Sequence, residues 1–167
     1  MSVLNEEKNK IRIAFVPDKI FIDGIKNAKE ERDLHYQEVG ISLIKDNKKL
    51  GKRLDYVFMS IPDFLEQLNN KTEEEIIDFH GADDPVNYLF IPSNGNVLEI
   101  IIDDKRSNKE KIGEITKFTL IKESIRFAEE FIKTLEKLNK KTVEFESVKN
   151  IMRLTNELKQ KGKSRES

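Results

Sequence analysis

The sequence predicts an α+β fold in which an antiparallel sheet of hairpins and a meander is covered on one face by helices. Strand-like runs come in pairs joined by short polar turns, and one strongly amphipathic segment spans residues 121–138. Strands that cluster through hairpins, without a helix between each pair, are typical of α+β domains. The length of 167 residues suits a single domain, predicted over 1–158, with a polar, frayed tail at 159–167.

The first part of the chain is predicted to form two hairpins. Short runs of β-favouring residues, bounded by turn residues, lie at 11–16, 19–22, 39–44 and 54–59. Pro17-Asp18 forms the first turn. Residues 45–48 form the second, and the basic stretch up to Arg53 belongs to the same loop. Between the hairpins, the charged stretch 26–33 has no clear period and indicates a loop or a short exposed helix.

A short helical region is predicted next. Ser60 is a suitable N-cap, and Pro62 has no backbone N–H that a first turn would leave unsatisfied. The pattern Thr72-x-x-Glu75 then predicts a second start with a capping box, and a glycine follows at the position of a helix C-terminus. His80 would therefore be the last residue of this helix, where it faces the negative end of the helix dipole.

The remainder is predicted as a three-stranded meander, a long helix and a helical tail. Asn94-Gly95 separates two β-rich runs, and this dipeptide favours a two-residue type I′ turn with positive φ at both positions. The third strand is predicted at 114–120 and the amphipathic helix at 121–138. A short strand at 142–145 and a last helix beginning near Ser147 complete the order.

Composition limits the chemistry that the chain can perform. The absence of cysteine excludes disulfides, thiolate nucleophiles and Cys-based zinc sites, and two histidines are too few for a multi-histidine metal site. A formal net charge of -1 predicts no general binding to nucleic acid or to an anionic membrane. A polar N-terminus and the lack of any apolar run of about 18 residues predict no signal peptide or membrane span, which makes a cytoplasmic location the default. No cofactor is predicted, because the seven glycines are scattered and form no phosphate loop.

One motif offers a catalytic interpretation. If Asn94-Gly95 is a two-residue turn, Val86 pairs with Asp103 and Asp84 lies opposite Lys105. An Asp followed about twenty residues later by Asp-x-Lys across a hairpin resembles the PD-(D/E)XK nuclease signature. The resemblance implies a metal-dependent nuclease, in which Asp84 and Asp103 hold a divalent cation and Lys105 orients a water or stabilises developing charge. Whether the protein is an enzyme rests on this one motif.

A second resemblance covers about residues 11–138. Its sequence features are Gly-Ile-Ser-Leu-Ile at 40–44, Lys-Leu-Gly at 49–51 and Ser-Ile-Pro-Asp-Phe-Leu-Glu-Gln-Leu at 60–68. Together with the order hairpin, short helix, antiparallel strands and long helix, they look similar to small bacterial immunity proteins of contact-dependent and polymorphic toxin systems. This resemblance implies a non-enzymatic inhibitor that neutralises one toxin through an acidic or mixed-charge face.

The candidate partner-binding surface is acidic. It combines carboxylates of the second short helix with those at the hairpin ends: Glu73, Glu74, Asp78, Asp83, Asp84, Asp103 and Asp104. Such a cluster attracts a basic protein partner, for example a nuclease toxin domain, and raises the association rate. The alternative is a surface that serves only solubility. The sequence predicts neither the identity of the partner nor the oligomeric state.

Overall fold

In the computed structural model, residues 10–81 and 85–166 are described, with side chains for all of these except 51–53 and 163–166. The helices and strands are, in chain order, β1 (Ile11–Val16), α1 (Lys19–Lys26), β2 (Glu38–Lys45), β3 (Lys48–Tyr56), α2 (Val57–Asn70), β4 (Ile77–His80), β5 (Val86–Pro92), β6 (Val97–Asp104), β7 (Lys109–Thr116), α3 (Lys117–Leu138) and α4 (Glu146–Glu166). Two 3-10 turns lie at Glu31–Leu34 and Lys140–Glu144. The predicted α+β class is confirmed.

The strands form two antiparallel sheets, where the sequence predicts one. The first has the order β1-β2-β3 and the second the order β4-β5-β6-β7. Two side chains link them. The buried hydroxyl of Tyr88 donates to the carbonyl of Ile41 at 2.9 Å, and Nζ of Lys45 donates to the carbonyl of Ile112 at 3.0 Å. A Cβ atom at position 113 would lie 3.3 Å from Nζ of Lys45, so Gly113 leaves room for this close approach.

Helices α2 and α3 pack against the inner faces of the sheets through aromatic side chains. Phe64 of α2 stacks on Phe79 of β4 with ring centroids 4.1 Å apart. Phe127 of α3 meets Phe15 of β1 and Phe79 edge-to-face, at 6.0 and 6.4 Å. Phe131, one turn further along α3, is fully buried as predicted. One core therefore supports both sheets.

The C-terminal helix α4 packs against α2 and α3. Its buried apolar residues are Val148, Ile151, Leu154 and Leu158, whereas Met152 is exposed. A buried amide fixes the packing, because Asn69 of α2 donates to the carbonyl of Leu154 at 3.2 Å. The helix continues to Glu166 and so includes most of the segment predicted as a tail.

Several short runs predicted as strands are helical. Asp18 caps α1 by accepting a hydrogen bond from the backbone N–H of Phe21 at 2.8 Å, and Phe21 and Ile25 are both buried. Residues 57–59 belong to α2 and 117–120 to α3, whose N-cap is Thr116. The predicted strand at 142–145 lies largely in a 3-10 turn. The period of a β-rich run of three or four residues does not distinguish a strand from a helical turn.

The predicted helix at 73–80 is wrong, because its second half is strand β4. Glu75 accepts hydrogen bonds from the backbone N–H and the hydroxyl of Thr72, at 3.1 and 3.2 Å. These bonds, the backbone one foremost, lower the pKa of Glu75. The capping-box residues thus close a turn and start no helix. Ile77 and Phe79 are buried two residues apart, which is the period of a strand, and His80 ends this strand.

The β2–β3 turn has the geometry that the sequence predicts for Asn94-Gly95. Lys45 and Lys48 pair directly, and the two residues between them, Asp46 and Asn47, have φ values of 55° and 63°. Positive φ at both positions of a two-residue loop is what a type I′ turn requires, and Asp and Asn tolerate it better than other non-glycine residues. The basic stretch that was predicted as loop is therefore strand β3.

The β5–β6 turn is one residue longer than predicted. The backbone N–H of Ser93 donates to the carbonyl of Val97 at 2.9 Å, which leaves three residues in the loop. Within the loop only Gly95 has positive φ, at 59°. Three-residue loops commonly combine a type I turn with one residue in the left-handed region. The predicted register is consequently wrong by one residue, since Val86 pairs with Asp104 instead of Asp103.

Candidate functional site

The outer face of the four-stranded sheet carries two acids of the predicted surface. Strand alternation directs Ile77, Tyr88 and Ile100 into the core and their neighbours outward. One outward row crosses all four strands as His80, Asn87, Asp103 and Lys109. The next row is Asp78, Leu89, Ile101 and Lys111. We call the surface formed by these two rows, with Ile91, Glu99 and Glu114 of the row beyond, the mixed face.

The mixed face has an apolar centre and a charged border. Leu89, Ile91 and Ile101 lie on the two middle strands and are half-buried. Carboxylates flank them on β4 and β6, and lysines flank them on β7. A rigid apolar centre with a polar rim is typical of protein-binding surfaces. Sequence patterning did not single out these three residues, although their alternation with buried neighbours was visible in the β-rich runs.

Several charges on strands β6 and β7 are paired within the protein. Glu99 and Glu114 lie opposite each other on β6 and β7, and Nζ of Lys111 is 3.3 Å from the first and 3.1 Å from the second. The hydrogen bonds to Glu114 and Glu99 raise the pKa of Lys111. At the end of β6, Arg106 donates to Asp104 from its side chain and its backbone, both at 3.0 Å, which lowers the pKa of Asp104.

Strand β4 is held by a side-chain amide of α2. Gln67 donates to the carbonyl of Asp78 at 2.7 Å and accepts from the N–H of Asp78 at 2.8 Å. The same Nε2 atom lies 2.8 Å from a carboxylate oxygen of Asp63. The carboxylates of Asp63 and Asp78 are 3.8 and 3.7 Å from Nδ1 of His80. On a strand, unlike a helix, residues two apart share a face, so Asp78 and His80 lie together.

The predicted acidic residues occupy separate places. Glu73 and Glu74 are exposed in the turn before β4. Asp78 and Asp103 share the mixed face, but strand β5 lies between them, and two strand spacings amount to roughly 10 Å. Asp104 points to the other side of β6 and is paired with Arg106. Asp83 and Asp84 lie outside the described residues.

The nuclease interpretation depends on how β5 and β6 pair. Asp103 pairs with Asn87, and the backbone N–H of Lys105 donates to the carbonyl of Pro85 at 3.1 Å, beyond the end of β6. The strand pairing from which Asp84, Asp103 and Lys105 were assembled is thus displaced by one residue. Among the described residues, no group of three or more Asp, Glu or His side chains is arranged to hold a metal ion.

Comparisons with known proteins assign no family. No protein-family model, no curated protein and no solved structure matches the chain. Within the part of the chain that the structure describes, none of the helices has both the length and the apolar character needed to cross a bilayer.

Proposed function

We propose that the protein is a non-enzymatic binding protein, an immunity-like inhibitor that neutralises a basic toxin domain through the mixed face. The observation that carries this proposal is the apolar centre formed by Leu89, Ile91 and Ile101, bordered by ionised side chains on a sheet whose inner face is packed by α2. A preorganised surface loses little conformational entropy on binding, so more of its contact energy contributes to affinity.

Charge favours a basic partner at one half of this surface. Asp78 and Asp103 flank the apolar centre, and the exposed Glu73 and Glu74 lie in the turn that leads into β4. These carboxylates would speed the approach of a cationic protein. Asp104 contributes less to this attraction, because Arg106 already compensates its charge.

The test is a binding and protection assay with purified basic nuclease toxin domains. Growth rescue in cells that express each toxin domain identifies a cognate pair, and surface-based kinetics then measure its affinity. Ile101→Arg should weaken binding roughly thirtyfold or more, as expected when a charge replaces an apolar hot-spot residue. Leu89→Gln should give a smaller loss in the same direction.

The matched control is Met152→Arg, since Met152 is a partly exposed apolar residue on α4, away from the sheet. It should leave binding unchanged, and thermal melts should show both variants folded. Full protection by Ile101→Arg would refute the mixed face as the binding site. Magnesium-dependent cleavage of DNA or RNA that disappears in Asp103→Asn would replace the inhibitor with the nuclease interpretation.

A further inference from the structure

The outer face of the three-stranded sheet differs from the mixed face in its side chains. Outward rows on this sheet begin at the hairpin end with Arg12, Ile44 and Lys49. Two rows further on lie Val16, Gly40 and Leu54, and the last row pairs Glu38 with Tyr56. We call this surface, together with Tyr36, which contacts Tyr56, the cationic-aromatic face.

The hairpin end of this face carries unpaired cations. Arg12 and Lys49 are exposed on the face itself, and Lys10 and Lys48 are exposed beside it. None of these four makes an ion pair with another described residue. Glu38, at the opposite end, is the one carboxylate among the described outward positions of this sheet. Unpaired cations on one side of a sheet produce a local positive potential, whatever the net charge of the chain.

The other end of the face is apolar and aromatic. Tyr36 is 81% exposed, and its ring meets that of Tyr56 edge-to-face with centroids 6.3 Å apart. Val16 and Leu54 are 41% and 50% exposed on either side of Gly40. An exposed ring held by an edge-to-face contact keeps a π-surface open for stacking.

Small residues lie between the two ends. Ala14, Gly40 and Ser42 occupy the middle of the sheet, where Gly40 and Ser42 are buried, and the hydroxyl of Ser42 has no hydrogen-bond partner among the described residues. From Glu38 to Ile44 the strand β2 advances six residues, or about 20 Å at roughly 3.3 Å per residue. This length separates the aromatic end from the cationic end and is sufficient for several nucleotides of an extended strand.

We propose that the cationic-aromatic face binds single-stranded nucleic acid, with phosphates at Arg12 and Lys49 and a base stacked on Tyr36. Cations that follow a backbone, combined with exposed aromatic rings, form the usual single-strand platform. A duplex keeps its bases paired and stacked and offers none to Tyr36. The cations are equally suited to an acidic protein, but such a partner has no base to stack on the open ring. The proposal is independent of the proposed function, because it uses the other sheet.

The experiment is fluorescence anisotropy of the intact protein with labelled oligo(dT) and oligo(U) of about twelve nucleotides. EDTA in the buffer suppresses metal-dependent cleavage, and a salt series gives the number of phosphate contacts. Arg12→Gln with Lys49→Gln should weaken binding at least tenfold. The pair should also reduce the log–log salt slope by about 1.4, which is 0.7 for each lost phosphate contact. Comparison of the two probes distinguishes DNA from RNA as the natural strand.

The matched control is Lys133→Gln with Lys137→Gln, which makes the same charge change at exposed positions of α3. This pair should bind as the unmodified protein does. Tyr36→Ala should weaken binding roughly tenfold and Tyr36→Phe should restore it, because stacking needs the ring and not the hydroxyl. Glu38→Gln should strengthen binding, since it removes the one carboxylate from the face.

Three results would overturn the proposal. The first is that the folded protein does not bind the labelled oligonucleotides at low salt. Equal loss of affinity in the control pair would show diffuse attraction without a site. Unchanged affinity in Tyr36→Ala, with poly-glutamate competing as well as oligonucleotide, would assign the face to an acidic protein instead.

Discussion

The outer faces of the two sheets are built from the same strand alternation but use their charges differently. On the four-stranded sheet, Lys111 lies between Glu99 and Glu114 and pairs with both, which leaves one negative charge in this group of three. On the three-stranded sheet, Arg12 and Lys49 have no ion-pair partner in the described part of the chain. A partner of the first surface meets partly paired charges with an acidic excess around an apolar centre, whereas a partner of the second meets cations that no described residue pairs.

The net charge of the chain also does not describe how charge is distributed over the two faces. Thirty basic and thirty-one acidic residues give a formal charge of -1, from which the sequence predicts no attraction to polyanions. Strand pairing places Arg12, Ile44 and Lys49 in one outward row that contains no carboxylate. Association depends on the field at a surface, and that field follows the register of the strands.

The largest expected effect is a loss of stability in the core that supports both sheets. Phe131 contacts Phe15, Phe21 and Phe58, with ring centroids 5.5 to 6.4 Å apart, and so lies under β1, α1 and α2. Phe131→Ala should lower the free energy of unfolding by about 3–5 kcal/mol, as for removal of a buried aromatic ring. Urea denaturation measures the loss. Ile20→Ala, at a residue 81% exposed, should change it by less than about 0.5 kcal/mol.

A variant in the β5–β6 turn should affect the four-stranded sheet and leave the three-stranded sheet unchanged. Gly95 has positive φ and nothing within 4 Å of its Cβ position, so a side chain there meets backbone strain without a steric clash. Gly95→Val should destabilise the protein by about 1–3 kcal/mol, and Gly95→Asn by less, since Asn tolerates this region better. Amide chemical shifts should move along β5 and β6 and stay unchanged along β1 and β2. Equal shifts in both sheets would show that the sheets do not respond independently.

A substitution in the β2–β3 turn of the other sheet should have a smaller effect on stability, and in the opposite direction. Asn47 adopts a φ of 63°, which glycine adopts without a Cβ penalty. Asn47→Gly should therefore leave stability unchanged or raise it by up to about 1 kcal/mol. Thermal unfolding provides the measurement, and a clear destabilisation would show that the Asn47 side chain contributes more than its backbone conformation costs.

The smallest effect concerns acid pH at the four-stranded sheet. The hydrogen bonds from Arg106 lower the folded-state pKa of Asp104 below its unfolded value. The resulting stabilisation is present above the unfolded pKa, near 4, and is lost as the pH falls through the folded pKa. Asp104→Asn should therefore lower the melting temperature at pH 6 relative to the unmodified protein. The two should converge once the pH lies below the folded-state pKa of Asp104, whereas Arg12→Gln should leave the profile unchanged.

Long amphipathic segments were predictable, and short segments were not. The stripe that includes Phe131 and Leu135 recurs over five turns of α3, so only a helix buries it. The run 117–120 has four residues and fits either structure. Its helical form depends on the side chain of Thr116, which accepts from the N–H of Thr119 at 3.1 Å. The N-cap and the burial of Lys117 and Leu120 favour the helix, and the period of a four-residue run reveals neither.

The composition of the two faces was harder to predict, because it depends on register. Asn94-Gly95 is compatible with loops of two or three residues, and the choice moves each partner on β6 by one position. Bulges then shift the rows again, between Ile100 and Ile101 on one sheet and between Leu43 and Ile44 on the other. The sequence identified Asp78 and Asp103 individually. Their neighbours Leu89 and Ile101 became apparent only once the strands were paired.

The side-chain amide of Gln67 has a consequence for self-association. An edge strand normally exposes backbone groups that a strand of another molecule can extend. At Asp78 of β4, both the N–H and the carbonyl are bound by Gln67 of the same chain. A second copy that approached this edge would first have to displace an amide attached to a packed helix. One glutamine therefore blocks the Asp78 position of β4 to a pairing strand.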